Sequence, residues 1–362
     1  MSEKYDPEVI KYKPKMDMLP SPDSADWKNN AIVFQGEVTV MGKCDGEFER
    51  LDYADGEAYT RNKYGRRETG ATIPAIKEIE KVLKQDRTLK SAVFLCELHV
   101  RHNGKLMRVS DCMHYLKGSD LKLREHLALG LFDLVELNGK PICESQAWKL
   151  AEMEKMLGKK TKQVYVLPYR VINETSAAKV RKAIEDAWQE FKVRQGYEGL
   201  VTYSSDGIGK IKSEYEIDAT IVGVNKNDGF HKNQGTSVRL AVMKDEDTFV
   251  EIGDVASGIT IPMRSMLWDY KKEFPLDETN RTAYVEPLFV VKLVLTDFFE
   301  KDMPTWKLVN DKRVDSGLSP AITMRHPRLV EVRRDKSITV SDVGINQISI
   351  LRGKGKTEER EE

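Results

Sequence analysis

The chain has 362 residues, enough for two domains that each bury a core. Hydrophobic residues make up 40% and charged residues 32%; no apolar run is long enough to cross a bilayer, and the polar start "MSEKYDPEVIKYKPK" is not a secretory signal. Its 58 basic residues balance 58 acidic ones, so the chain has no global field for nucleic acid.

Four cysteines (Cys44, Cys96, Cys112, Cys143) without CxxC spacing argue against zinc and for reduced thiols in an intracellular protein. Basic clusters in "RNKYGRR", "LGKKTK", "RHPRLVEVRRDK" and "RGKGK" can still line a positive groove within a neutral chain.

Residues 1–30 are polar and proline-bearing and read as an extension lying on the surface or partly loose. From Ala31, "AIVFQGEVTVMGKCDGEFERLDYADGEAYTR" alternates apolar and polar residues and is cut by Asp-Gly pairs, as in a β-meander. "TIPAIKEIEKVLKQ" spaces Ile73, Ile76, Ile79 and Leu83 at helical intervals, and "SAVFLCELHV" suits a buried strand. "LREHLALGLFDLVELNGK" reads as helix or loop running into another strand.

"TSAAKVRKAIEDAWQEFKVRQG" is the clearest helix, with Val180, Ile184, Trp188 and Phe191 in one stripe and Gly196 as a stop. "YEGLVTYSS" and "GKIKSEY" read as two more strands. After about Glu216, "IDATIVGVNK", "TSVRLAVM", "TFVEIGDVA" and "LFVVKLVLTDFF" give about five short strands, with one helical candidate, "IPMRSMLWDYKKEF". That pattern suits a small β-barrel. The fold class is therefore α+β, with an extension (1–30), a mixed domain (31–215), a barrel (216–347) and a disordered charged tail (348–362).

Several residues could carry chemistry. A lysine nucleophile needs burial or nearby charge to shed its proton. Lys43 follows an apolar β run, with Asp45 on the same strand face and Gly46 letting the chain turn beside a ligand. A β-turn remains open for these residues alone. Transfer of a phosphoryl-linked nucleotide also needs cations on the phosphates and carboxylates for a divalent metal. Glu97 interrupts an apolar strand, where a lone carboxylate is costly to bury, and Glu198 does the same in "YEGLV". Lys210 and Lys212 share one strand face. Taken singly, the acids could be salt-bridged core residues and the lysines a solvated face.

The order Lys43-Cys44-Asp45-Gly46, Arg61, Glu97, Phe132-Asp133, Glu198-Gly199, Lys210-x-Lys212 and "RHPRLVEVRRDK" resembles the motif series of ATP-dependent DNA ligases and mRNA-capping nucleotidyltransferases. The resemblance covers nearly nine-tenths of the chain. It implies a nucleotidyltransferase domain of antiparallel sheets with flanking helices, followed by an oligonucleotide-binding (OB) β-barrel. "ATIVGV", "GDVASGITIPMRSMLW" and "VEPLFVVKLV" resemble the ligase type of barrel.

The resemblance implies that Lys43 attacks the α-phosphate of ATP, forming lysyl-AMP on the way to sealing a 5′-phosphate/3′-hydroxyl nick in duplex DNA. It gives Asp45 the 3′-hydroxyl or the metal, Arg61 the ribose or substrate phosphate, and Glu97 the ribose or metal. Glu198 becomes the chief carboxylate for Mg2+ or Mn2+, and Phe132 stacks on adenine. Lys210 and Lys212 grip the α-phosphate and lower the pKa of Lys43. Arg333, Asp335 and Lys336 orient the departing pyrophosphate, which requires domain closure. Lys63, Arg66 and Arg67, with a turn in "NKNDGFHKNQG", are candidates for DNA phosphates.

Three positions depart from the family pattern: Phe48 stands where an arginine or histidine is common, with Arg50 as the substitute; Met41 stands where an acid often reads adenine; and Leu95-Cys96 stands where Asp-Gly is usual. With 42 residues before Lys43, no large DNA-clasping domain is expected, as in minimal ligases of viruses, phages and bacteria. A monomer, cytoplasmic if bacterial or phage-encoded, acting in DNA repair, replication or recombination, follows from the resemblance. An RNA-strand or RNA/DNA hybrid ligase is the alternative, then a GTP-dependent capping-type enzyme, then a binding module with a vestigial catalytic half.

Overall fold

The computed structural model describes residues 5–24, 27, 36–102, 105–107, 115–116, 121–158, 161–226 and 237–349. The chain divides between Lys212 and Ser213 into two units, each built around a core of its own. Among the described residues no helix is long and apolar enough to cross a membrane. The Asn225 turn falls almost wholly outside the described residues, as do Cys112 and nearly all of the tail.

In the first unit, strands β1 (Asp17–Leu19), β2 (Val38–Lys43), β3 (Glu47–Ala54), β4 (Glu57–Asn62) and β5 (Arg67–Thr69) come first. They are followed by β6 (Ser91–His102), β7 (Lys105–Leu106), β8 (Leu127–Leu137), β9 (Lys140–Pro141), β10 (Val164–Val166), β11 (Tyr169–Ile172), β12 (Gly199–Ser204) and β13 (Gly207–Lys212). One sheet runs β1-β13-β12-β2-β11 and a second β10-β8-β6-β3-β4-β5. The pairs are antiparallel except at two edges, where β1 joins β13 and β10 joins β8 in parallel.

Among the described residues, four α-helices accompany the sheets: α1 (Pro7–Ile10), α2 (Pro74–Leu83), α3 (Gln146–Leu157) and α4 (Ala177–Ala187). The expected stripes are buried: Ile76, Ile79 and Leu83 on α2, Val180 and Ile184 on α4. Beyond Ala187 the helix continues with π-type turns over Trp188–Arg194, which keep Trp188 and Phe191 in the core.

Sequence reading missed α3, although its signals are present. Ser145 caps it by accepting from the Trp148 backbone N–H, Gly158 ends it, and Leu150, Met153 and Leu157 are its buried residues. The start of the chain also differs from a loose extension. Met18 pairs with Lys210 in β13, Val9 is fully buried, and the Trp27 indole donates to Glu185 at 2.9 Å. Segment 6–19 thus runs from the edge of the first sheet to the second, where the Asp6 amide donates to the Lys63 carbonyl at 2.9 Å.

Among the described residues the second unit has nine strands rather than about five: β14 (Tyr215–Asn225), β15 (Val238–Met243), β16 (Thr248–Val255), β17 (Pro275–Glu278), β18 (Thr282–Val285), β19 (Val290–Leu295), β20 (Asp297–Val309), β21 (Lys312–Arg325) and β22 (Arg328–Val332). β16 pairs β15, β15 pairs β14, β14 pairs β19 and β19 pairs β22; a single bridge between Ser257 and Arg328 then completes a five-stranded ring. This is the partly open barrel expected of an OB fold. Helix α5 (Ile261–Glu273) begins at a Thr260 cap, and a short helix α6 (Val340–Val343) follows the strands. The extra strands are β17, β18 and the long β20–β21 hairpin. That hairpin was illegible because it is largely exposed and carries Pro304 within the strand.

Candidate active site

β12 is the axis of the site. In its register Gly199 lies between Lys43 on β2 and Lys212 on β13, and Val201 lies between Met41 and Lys210. A Cβ on Gly199 would stand 2.1 Å from the Ile211 carbonyl oxygen, so only glycine fits between the two lysine-bearing strands. Glu198, next to that glycine, reaches both ammonium groups. Its Oε2 is 2.7 Å from Lys43 Nζ, and its Oε1 accepts from Lys212 Nζ.

β2 ends at Lys43, so Asp45 sits past the end of the strand rather than on its face, close enough to attract the Lys43 ammonium. Gly46 follows at a close approach, where a Cβ would lie 2.3 Å from the Leu98 carbonyl oxygen. The Gly46 amide donates instead to the Glu97 carboxylate.

Several of these groups line a cavity of about 600 Å³. Its walls include Lys43, Gly46, Glu97, Phe132, Lys210 and Lys212. The apolar remainder includes Met41, Phe48, Leu167 and Val201. The Phe48 and Phe132 rings are 6.1 Å apart and tilted by 44°. Segment 6–19 adds Lys13, Pro14 and Met16 to the wall, none of which sequence reading picked out. The parallel pairing of β1 that brings them there has no local signal.

The electrostatics correct one expectation. Burial acts to lower the pKa of Lys43, but the Glu198 and Glu97 carboxylates outweigh it, and the ammonium is held above its ordinary value. Lys212 is the one pushed down, by burial and by the Lys43 charge. Burial alone would raise Glu198; the two lysines keep it below the usual carboxylate range. Glu97 is pushed up to about 7 by burial, partly offset by Lys43. It can therefore change charge near neutral pH.

The remaining candidates divide. Lys63 lines the cavity, with its ammonium 5.0 Å from the Tyr64 ring centre. Arg61 is outside the cavity wall, its guanidinium 3.5 Å from Asp52 and 3.9 Å from Asp6. Arg50 does not stand in at the position of Phe48; it donates to Asp52 at 2.6 Å and to the Glu8 carbonyl at 3.1 Å. Arg66 pairs with Glu68 at 2.9 Å, and Arg67 lies 3.8 Å over the Tyr59 ring. In the second unit Asp218 gathers Lys336 at 2.6 Å and Arg333 at 3.4 Å, while Asp335 holds Arg333 at 2.7 Å.

No family model matches the chain. Curated proteins do. The DNA ligase of Methanococcus aeolicus is 20% identical over 326 residues, 86% of this chain and 54% of that protein. That of Methanocorpusculum labreanum is 23% identical over 330 residues, 84% and 55% respectively. The chain therefore spans about half the length of the curated relatives it matches. Among solved structures, Pmar-Lig_Pre superposes with a TM-score of 0.59 at 18% identity, covering 90% of this chain and 70% of that one. A Lig E DNA ligase gives 0.51 at 13%, covering 88% and 99%. In sequence and in fold the chain is similar to DNA ligases.

Proposed function

We propose that the chain is an ATP-dependent polynucleotide ligase that seals 5′-phosphate/3′-hydroxyl nicks in duplex DNA through a lysyl-AMP intermediate. The observation that carries this reading is the set of lysines 43, 210 and 212 with Glu97 in the wall of one cavity, and Glu198 paired to both Lys43 and Lys212. Deprotonated Lys43 Nζ attacks the α-phosphorus of ATP; the N–P bond forms as the P–O bond to pyrophosphate breaks. AMP then passes to a 5′-phosphate, and the 3′-hydroxyl displaces it. A covalent intermediate divides one hard step into easier ones.

Lys210 and Lys212 hold the α-phosphate, and Phe132 packs on the base. Arg333 and Lys336, gathered by Asp218, orient pyrophosphate. No three acidic, histidine or cysteine side chains form a metal cage among the described residues. Two carboxylates suit Mg2+ or Mn2+, which such sites hold with one or two acids plus substrate phosphates. Glu97 and Glu198 would hold the ion, which would neutralise phosphate charge and relieve their grip on the Lys43 proton.

Phe48 and Met41 in the cavity wall, where a cation and an acid are common, keep RNA-containing strands open as the second reading. The test is incubation of the protein and its Lys43→Ala variant with magnesium and α-labelled ATP or GTP. Covalent label from ATP, absent in the variant, is expected, followed by sealing of nicked DNA in preference to RNA. Label on the variant overturns the nucleophile assignment; label from GTP alone moves the case to capping chemistry.

A further inference from the structure

Along β12 the cavity face changes character. It is charged at Gly199, flanked by Lys43 and Lys212, and becomes mostly apolar at Val201, flanked by Met41 and Lys210. Two residues further lies Tyr203, flanked by Thr39 and Ile208. Four residues of strand separate Gly199 from Tyr203, roughly 13 Å, a distance that a nucleoside monophosphate spans.

Tyr203 lines the cavity together with Phe132, Met41, Leu167 and Val201. Burial pushes its phenol up and Asp133 adds to this, so the hydroxyl stays protonated. No hydrogen bond contributes to that shift, and Asp133 is itself paired with Lys149 at 3.0 Å. The wall is charged at Lys43, Glu97, Lys210 and Lys212 and apolar around Met41, Phe132, Leu167 and Val201, and a hydroxyl set beside such an apolar stretch is a usual means of orienting a flat ligand. Tyr203 is half-buried, and its hydroxyl carries both a donor and an acceptor for a ligand in the cavity.

We infer that the Tyr203 hydroxyl hydrogen-bonds the polar edge of the adenine of bound ATP, making Tyr203 a determinant of nucleotide affinity at the position farthest from Lys43. This rests on the nucleotidyltransferase reading and supplies a base contact that Met41 cannot make. Tyrosine at 203 keeps both donor and acceptor capacity on a ring that packs with its apolar neighbours.

Tyr203→Phe removes the oxygen and keeps the ring. ATP affinity is measured by equilibrium dialysis, and self-adenylation is followed at varied ATP. The variant should bind ATP about five- to tenfold more weakly and show a matching rise in KM, as expected for one lost hydrogen bond. The labelling rate at saturating ATP should be unchanged, as for an interaction present equally in ground and transition states. Unchanged affinity, or a loss of rate with KM intact, overturns the inference. If wild-type protein binds ATP yet takes no label, the ligase reading fails while the dialysis still tests the contact.

Discussion

At the level of single residues, the two glutamates that hold Lys43 protonated also place it. Removing their charge would free the amine, and losing them would cost the proposed cation site, so the same side chains would restrain and enable the proposed nucleophile. Glu49 is a buried acid of another kind. Both of its carboxylate oxygens are buried, and burial with the neighbouring Glu47 pushes it up to about 9, against the opposing pull of Thr60 and Arg66. It is therefore neutral in the folded protein at pH 7. Because the folded pKa is raised, its stabilisation is complete below the ordinary value of 4.5 and is lost as pH climbs towards 9. The slope is about 1.4 kcal/mol per pH unit. Glu49→Gln should remove this dependence, so the variant should exceed wild type in thermal midpoint at pH 8 and approach it at pH 5. A gap that does not change between those pH values would show that Glu49 ionises freely.

Among the elements, the least expected contribution comes from the N-terminal segment. It is held at one end by the β1–β13 pairing and at the other by Asp6 on Lys63, with the Arg50 guanidinium 5.0 Å over the Tyr12 ring between them. Lys13, Pro14 and Met16 form a side of the cavity because both ends are fixed. Deleting residues 1–19 should lower the thermal midpoint by exposing the β13 edge and should raise KM for ATP several-fold, with Lys43 still able to take label. Equal KM in the truncated and full chains would reduce the segment to a structural role. Among the strands, the β20–β21 hairpin turns at Asn310 and Asp311, with φ of +51° and +57°. These are the left-handed values that a two-residue turn of this type requires and that asparagine and aspartate tolerate better than most residues.

Across the whole molecule, the motif residues divide between two units: Lys43 to Lys212 in the first, Arg333 and Lys336 in the second. The proposed pyrophosphate role of the second set makes a separable prediction. Lys336→Ala should slow formation of lysyl-AMP more than sealing of a nick that is already adenylated; equal losses in both assays would remove that role. The α+β class, the OB barrel, helices α2 and α4 and the lysine–carboxylate series were legible from sequence, because each rests on local periodicity or a short ordered motif. Five motif residues, Lys43, Glu97, Phe132, Lys210 and Lys212, do share one cavity, as their order implied. What sequence could not give were pairings between distant segments and the charges they bring together. These include the β1 edge, the diversion of Arg61 and Arg50 to acids outside the cavity, the raised pKa of Lys43, and the placing of Tyr203 in the same cavity wall as Phe132. The sequence by itself determined which residues were available for the proposed nucleotidyl transfer, since those are written in spacing along the chain. Only the tertiary structure decided which of them meet, because register across strands and desolvation inside a cavity depend on neighbours far away in sequence.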